Sequence, residues 1–309
     1  MKRVLSLAVL LMLAGWTAAQ AAGPHKKAGT TGAAFLNIYP GARYEAQGAA
    51  AVADAAGVDA IYWNPAGLAE AKRRQLAFVH HNYVLDVKNN YLAYAHPSGG
   101  NGVMGFALYH ADAGVLTRTE VDGAGNAVTG LGSFDAYDLA LSVSYAKKLF
   151  ENASVGLTGK YIRSDIESEQ GDAWAVDAGL QFRLLEAFSV GFAAQNFGTQ
   201  IKFRQQKDEL PLQYKAGLAY HFMLRSWKAR LGADMTAPVR NRMHYNAGLE
   251  VRPVDFAAIR VGYDRRNRDL KEWLTAGFGL QMDKWTLNYA YAPQGFFKSS
   301  HRIGFAVEF

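Results

Sequence analysis

The chain has 309 residues; half are apolar, 13% are aromatic and 19% are charged, with 31 glycines and no cysteine. Low charge and high aromatic content exclude a disordered chain, and the missing cysteine excludes disulfide scaffolds, thiolate metal sites and cysteine nucleophiles. The formal charge of +6 is mild, so nothing in it calls for nucleic acid as a partner.

Lys2 and Arg3, an apolar run at residues 4–13 and the small residues around Ala19-Gln20-Ala21 predict a signal peptide over 1–21, cleaved after Ala21. No later run of about 18 apolar residues follows, so no transmembrane helix is expected. Residues 22–74 form a linker and an Ala-rich segment without strand alternation. From Gln75 to the end, 75–309, the pattern becomes that of strands with two different faces.

Residues 75–83 and 88–96 are the weaker strands, with apolar groups on both faces. Residues 102–110, 137–146, 153–164, 174–183, 188–196 and 212–222 each give one strand. In 227–237, Trp227, Leu231 and Met235 oppose Lys228, Arg230 and Asp234. In 243–252, Tyr245, Ala247, Leu249 and Val251 oppose Asn246, Gly248, Glu250 and Arg252. Residues 257–265, 274–282, 285–293 and 301–309 alternate as clearly. The total is about fourteen, an even number as bacterial outer-membrane barrels have. Connections after odd strands, such as 111–134, 165–171 and 197–209, are long. Those after even strands, such as 97–101 and 283–284, are short.

A soluble up-and-down barrel has the same period with the faces exchanged. Here one face carries Lys, Arg, Asp, Glu, Gln and Gly in strand after strand, too polar for a dry core. Aromatic residues gather near strand ends, as interfacial girdles do. The expected fold is therefore all-β, a transmembrane antiparallel barrel of the bacterial outer membrane. Lys160, Asp177, Lys228, Arg230, Asp234, Glu250, Arg252 and Arg260 are its lumen-facing candidates, pairing with one another and bracing the wall.

No catalytic constellation is present. His80 and His81 adjoin, but neighbours on a strand point to opposite faces and cannot simply chelate one metal. HExxH, P-loop, GxGxxG and GxSxG are all missing. The expectation is a non-enzyme with no cofactor, no catalytic residue and no metal.

Residues 35–68 read FLNIYPGARYEAQGAAAVADAAGVDAIYWNPAGL. Phe35-Leu36, Gly41-Ala42-Arg43, Gly48, Ala50, Ala53 and Tyr62-Trp63-Asn64-Pro65-Ala66-Gly67-Leu68 make this segment resemble the N-terminal signature of the PorV/PorQ family. That family lies within the superfamily of FadL-type long-chain fatty-acid transporters. Gln47 stands where the family usually has Met. The resemblance implies either a FadL-like passive channel for small hydrophobic compounds or an accessory barrel of protein secretion, as in type IX secretion. A structural or adhesive surface protein is the alternative.

An Ala-rich stretch needs little volume and can thread into a lumen as an N-terminal plug. Asn64-Pro65 stops any helix, and Gly41, Gly48 and Gly67 allow close approach to a wall. Arg43, Gly48, Trp63, Asn64, Pro65 and Gly67 are the plug or gating candidates, with a plain periplasmic seal without gating as the other reading of this segment. A cation entering the lumen needs an anion, and Asp138, Asp177, Asp234 and Glu250 are possible partners for Arg43. Phe309 resembles the terminal aromatic signal read by the barrel-insertion machinery. Arg240, Arg242, Arg265, Arg266 and Arg268 suit a rim that meets lipopolysaccharide phosphates. Outer-membrane lipids, a secreted cargo and a small hydrophobic ligand complete the expected partners.

Overall fold

A strand with one apolar and one polar face, repeated many times without a hydrophobic partner layer, has one stable solution: the sheet closes on itself. The computed structural model describes residues 26–100, 102–266, 273–295 and 297–309. The predicted signal peptide and Arg268 lie outside them. Fourteen antiparallel strands form a closed barrel. In chain order they are β1 (Gln75–Asn82), β2 (Lys88–Pro97), β3 (Val103–Thr117), β4 (Ser133–Phe150) and β5 (Ala153–Ile166). Next come β6 (Glu169–Leu185), β7 (Phe188–Gly198), β8 (Gln213–Leu224), β9 (Trp227–Pro238) and β10 (His244–Val254). The last are β11 (Ala257–Asp264), β12 (Leu274–Met282), β13 (Trp285–Gln294) and β14 (Phe297–Glu308). β14 returns to pair with β1, Glu308 opposite Gln75 and His301 opposite Asn82.

The outward face is a continuous apolar belt that includes Phe78, Phe106, Val143, Phe192, Leu231, Ile259 and Phe305. The inward face carries buried Lys160, Asp177, Arg230, Asp234, Glu250, Arg260 and Arg302. This inside-out polarity belongs to a membrane-spanning barrel, since lipid replaces the outer apolar partner and closure leaves the sheet without an open edge.

The two rims differ. At one, turns such as Glu151–Asn152 and Asp283–Lys284 are tight, and the chain enters β1 and ends at Phe309. There the Phe309 amide donates to the Arg74 carbonyl at 2.9 Å and its ring stacks on Tyr94. At the other rim, the expected long connections at 111–134 and 165–171 are shortened, because the strands themselves run on. β3 continues to Thr117, β4 begins at Ser133, and β5 and β6 are joined by the turn Glu167–Ser168. Beyond the membrane a hairpin still pairs with itself, so alternation alone does not mark where lipid ends. A small hairpin, Ile201–Phe203 with Gln206–Asp208, folds over the same rim, and Ile201 is buried against Gly32 and Gly171.

Residues 33–71 lie inside the barrel. They contain two single-turn helices, α1 (Ala42–Glu45) and α2 (Ala60–Trp63), and short 3-10 turns including Pro65–Glu70. Residues 26–32 reach the long-loop rim, where the Gly32 amide donates to the Glu209 carbonyl at 3.0 Å. The segment thus crosses the whole lumen before joining β1 at the short-turn rim. Its large side chains, Phe35, Leu36, Ile61, Tyr62, Trp63 and Leu68, pack on inward Ala77, Val79, Tyr91, Ala93, Ala107 and Tyr109 in one apolar cluster. That is why β1 and β2 show apolar groups on both faces: one side meets lipid, the other meets this segment.

Candidate functional site

An irregular, Ala-rich backbone cannot pair its own amides, yet buried amides must find partners. The wall opposite the apolar cluster supplies them. Asp234 on β9 accepts from the Ala51 and Val52 amides at 2.7 and 2.9 Å. Gln181 donates to the carbonyls of Val52 and Ala55, and Gln195 to those of Tyr62 and Trp63. Asn246 donates to the Gly48 carbonyl, and the Thr275 hydroxyl accepts from the Gly48 amide at 3.0 Å. Asn64 works in the opposite direction. It donates to the Leu180 carbonyl of β6 at 3.1 Å and to Val52 at 2.7 Å, and caps the Pro65–Glu70 turn by accepting from Ala66.

Two charge clusters tie segment to wall. Arg230 grips Asp54 with two hydrogen bonds of 2.6 and 2.5 Å and donates to Gln47 and the Ala50 carbonyl at 2.7 Å each. Gln47 joins this cluster to the next by donating to Glu250 at 3.4 Å. Glu250 also meets Arg260 at 2.7 Å, Arg252 at 2.9 Å and Arg43 at 3.7 Å. A carboxylate enclosed by three guanidiniums is compensated, which permits its burial. Farther round the wall, Lys160 pairs with Asp177 at 2.6 Å and donates to Asn196.

The wall ammonium of Lys215 lies over the rings of Tyr39, Tyr62 and Trp63 at 5.5, 5.9 and 5.5 Å, where the ring quadrupoles offset its desolvation. Trp63 is thereby part of an aromatic clamp. Where backbone meets wall, the wall residue is glycine. Gly156 faces Pro65, Gly179 faces Asn64, Gly191 and Gly217 face Val52, Gly248 faces Gln47 and Gly262 faces Gly48. Gly48 itself has φ +62°, and a Cβ on it would strike the Ala247 carbonyl and the Tyr263 backbone. Gly67 sits as tightly against the Ala55 carbonyl.

The expected site residues therefore fall into three groups. Arg43, Gly48, Trp63, Asn64, Pro65 and Gly67 all lie in the lumen against the wall. Lys160, Asp177, Arg230, Asp234, Glu250 and Arg260 are buried there with them. Lys228 is placed differently: its exposed ammonium pairs with Asp255 at 2.7 Å at the short-turn rim, because it lies one step beyond the last lumenal contact. Arg252 is half exposed beside it. Arg266 also departs from its expected rim position. It turns inward over the Tyr39 ring at 4.1 Å and donates to the Asn37 carbonyl, drawn by Asp264 at 3.6 Å. Arg240 is engaged by Glu209. Asp138 faces the lumen far from Arg43 and accepts from Ser164. Of the two histidines, His81 is buried against Ser300 at 3.0 Å while His80 bonds Asn90 on the other face. Among the described residues no group of His, Asp and Glu is arranged to hold a metal.

Above the segment, toward the long-loop rim, lies a vestibule of about 910 Å³. Its floor includes Phe35, Ile38 and Glu45; Ala111, Ala113, Ala136 and Val87 line one side together with Asp138 and Asp165, and Arg242, Arg266 and Trp273 line another. At the short-turn rim a second recess of about 390 Å³ is bordered by Arg43, Asp54, Glu70 and His221.

Asp234→Ala is expected to orphan two buried amides, at about 1–3 kcal/mol each, and to speed hydrogen exchange at Ala51 and Val52. Asp234→Asn keeps one acceptor and should do less. Equal exchange in both variants would show that Asp234 does not hold the segment.

A family model described as "Uncharacterised protein family (UPF0164)" matches residues 12–131. No curated protein matches. Among solved structures, the chain is similar to the toluene transporter TodX of Pseudomonas putida, with a TM-score of 0.64 and 11% identity over 87% of this chain and 98% of that one. It is similar to the toluene transporter TbuX of Ralstonia pickettii, with a TM-score of 0.62 and 13% identity over 87% and 98%. The CymD monoaromatic hydrocarbon channel gives a TM-score of 0.59 and 11% identity over 88% and 98%. At such identities the likeness establishes a common fold, which in this chain is a closed antiparallel barrel of fourteen strands.

Proposed function

We propose that the protein is a passive outer-membrane channel for small hydrophobic or amphipathic compounds, with residues 33–71 as its plug. The observation that carries this reading is the vestibule. It is amphipathic, with Phe35, Ile38, Val87 and Ile166 among its lining, and opens at the long-loop rim, above a lumen filled by side chains and backbone. A general porin keeps a water-filled lumen; this one has none at the level of Trp63, Asn64 and Arg302, all almost fully buried. The relatives described as toluene transporters and a monoaromatic hydrocarbon channel support the same class.

Simple bilayers barely resist apolar solutes, so the test belongs in cells whose outer leaflet is lipopolysaccharide. Expression is expected to accelerate uptake of radiolabelled toluene without raising uptake of a hydrophilic sugar. In planar bilayers the protein should show no steady ion current. A large ohmic conductance, or unchanged toluene uptake, contradicts the proposal.

The second reading is an accessory barrel of secretion. It has the resemblance at Tyr62–Leu68 in its favour and needs a cargo surface rather than a passage. It predicts co-purification of a secreted protein from cells of origin and no effect on uptake.

A further inference from the structure

Two cavities meet the same helix from opposite ends. Glu45, the last residue of α1, lines the vestibule. Ala42 and Arg43, its first two, line a separate cavity of about 110 Å³ beside Ala77, Val79, Asn288 and Gly304. Between these cavities α1 rests on β12, β13 and β14 through small groups. Ala42 and Ala46 touch Ala290, all three buried. A Cβ built on Gly277 would lie 2.6 Å from the Ala46 Cβ, and one on Gly304 would lie 3.5 Å from the Ala42 Cβ. Apart from the ion pair of Glu45 with Arg302 at its vestibule end, these contacts are made by glycine and alanine, so a small shift of α1 away from this wall would join the two cavities.

A second observation points to something that passes here. Glu45 and Arg302, 1% and 0% exposed in their side chains, face each other at 3.1 Å where the seam meets the vestibule. Arg302 also donates to the Tyr39 carbonyl and the Ser300 hydroxyl. Yet Oε2 of Glu45 and Nη2 of Arg302 have no hydrogen-bond partner among the described residues. An acceptor and a donor, both buried and both unmet, are costly unless some state of the protein uses them.

We propose that solutes cross the plug along α1, between it and β12–β14, and that Glu45 and Arg302 form the polar constriction of this route. This rests on the channel reading above. The class that fits is a small apolar body with one hydroxyl. The hydroxyl donates to Oε2 and accepts from Nη2 in one contact, while the body slides over Ala42, Ala46 and Ala290.

The chain has no cysteine, so introduced thiols report alone. The Cβ separation at Ala42 and Gly304 falls at the short end of the disulfide range. In lipopolysaccharide-bearing cells, oxidised Ala42→Cys/Gly304→Cys protein is expected to take up p-cresol and toluene severalfold more slowly than the same protein after dithiothreitol. The parent protein should enhance p-cresol uptake more than toluene uptake. Heat-modifiable mobility checks that the barrel has folded. A single Ala290→Cys variant keeps the test open if the double variant does not assemble. Its thiol should react with a small water-soluble maleimide, while a thiol at Ala66, buried against the opposite wall, should not. If oxidation leaves uptake unchanged, or if both single thiols react equally, the route is wrong while the channel reading stands. Equal enhancement of the two solutes removes the constriction. A parent protein that enhances neither overturns the channel and the route together.

Discussion

Arg230→Met is expected to turn a silent barrel into a leaky one. It strips Asp54 of its two-point partner and leaves Gln47 and the Ala50 carbonyl without a donor. Breaking a buried pair from one side costs about 3–5 kcal/mol, because the remaining charge stays in a poor solvent. The loss falls on residues 47–54, so their amides should exchange faster while β-strand amides hold, and a steady ion current should appear in planar bilayers. The Asp54→Asn/Arg230→Met double variant should recover much of the seal. If it leaks as much as the single variant, the charge pair is not what holds the segment. The same pair sets a pH limit. Burial alone would lift the Asp54 carboxyl, but Arg230 and the hydrogen bond from His221 outweigh it and hold the group well below the usual carboxylate range. A depressed folded-state value means the stabilisation is complete above the unfolded value of about 3.9 and is lost as pH falls below it. The parent protein should therefore stay sealed at neutral pH and loosen only in acid.

Gly262→Val is expected to have a comparable effect by steric means alone. The added Cβ would occupy the position of the Gly48 amide and the Gln47 carbonyl carbon. Backbone cannot rotate away as a side chain tip can, and overpacking of this kind costs about 1–3 kcal/mol or more. The lipid-facing side of β11 is untouched, so the barrel should still assemble and keep its heat-modifiable mobility. Only the segment should be displaced, seen as ion current and as protease cleavage between residues 40 and 60. Gly159→Val, on the lipid-facing side of β5, is the control for the substitution itself, since nothing lies within 4 Å of a Cβ there. If the two variants behave alike, the close approach of segment and wall is not needed for the seal.

Much of the barrel was legible because lipid and lumen impose opposite demands on neighbouring residues. The period of two survives in 227–237 and 243–252 without interruption. It blurred in β1 and β2 because Ala77, Val79 and Tyr91 face the apolar half of the inner segment, which alternation cannot distinguish from lipid. The loops were overestimated where hairpins outlast the membrane, as at Glu167–Ser168. The charged lumenal residues could be found from their face alone. Gln181, Gln195, Asn246 and Thr275 could not, because uncharged polar groups on an inward face look like ordinary lining until the backbone they serve is in place. Lys215, though charged, does not declare its role either, because its partners are rings 150 or more positions away in the chain. Inward glycines mark the polar face in the sequence, and they also mark where the inner segment comes close to the wall. Gly156, Gly179, Gly191, Gly217, Gly248 and Gly262 recur on the polar face of strand after strand, and open lining would not require so small a residue so often.

The path of the inner segment constrains the order of assembly. Residues 26–32 sit at one rim and Arg74 at the other, so the chain runs through the ring that its own first and last strands close. β1 and β14 are the most distant strands in sequence, and their pairing is the slowest closure by loop entropy. Threading a finished ring would carry Trp63 and Tyr44 past inward charges such as Arg230, Asp234 and Arg302 before their partners arrive. Closure around a segment already lying in the ring avoids this, with Asp234, Arg230 and Asn246 collecting its amides and carbonyls as the strands add. The inner segment then acts as a template for curvature during biogenesis, and a barrel lacking residues 33–71 should close more slowly than the full chain.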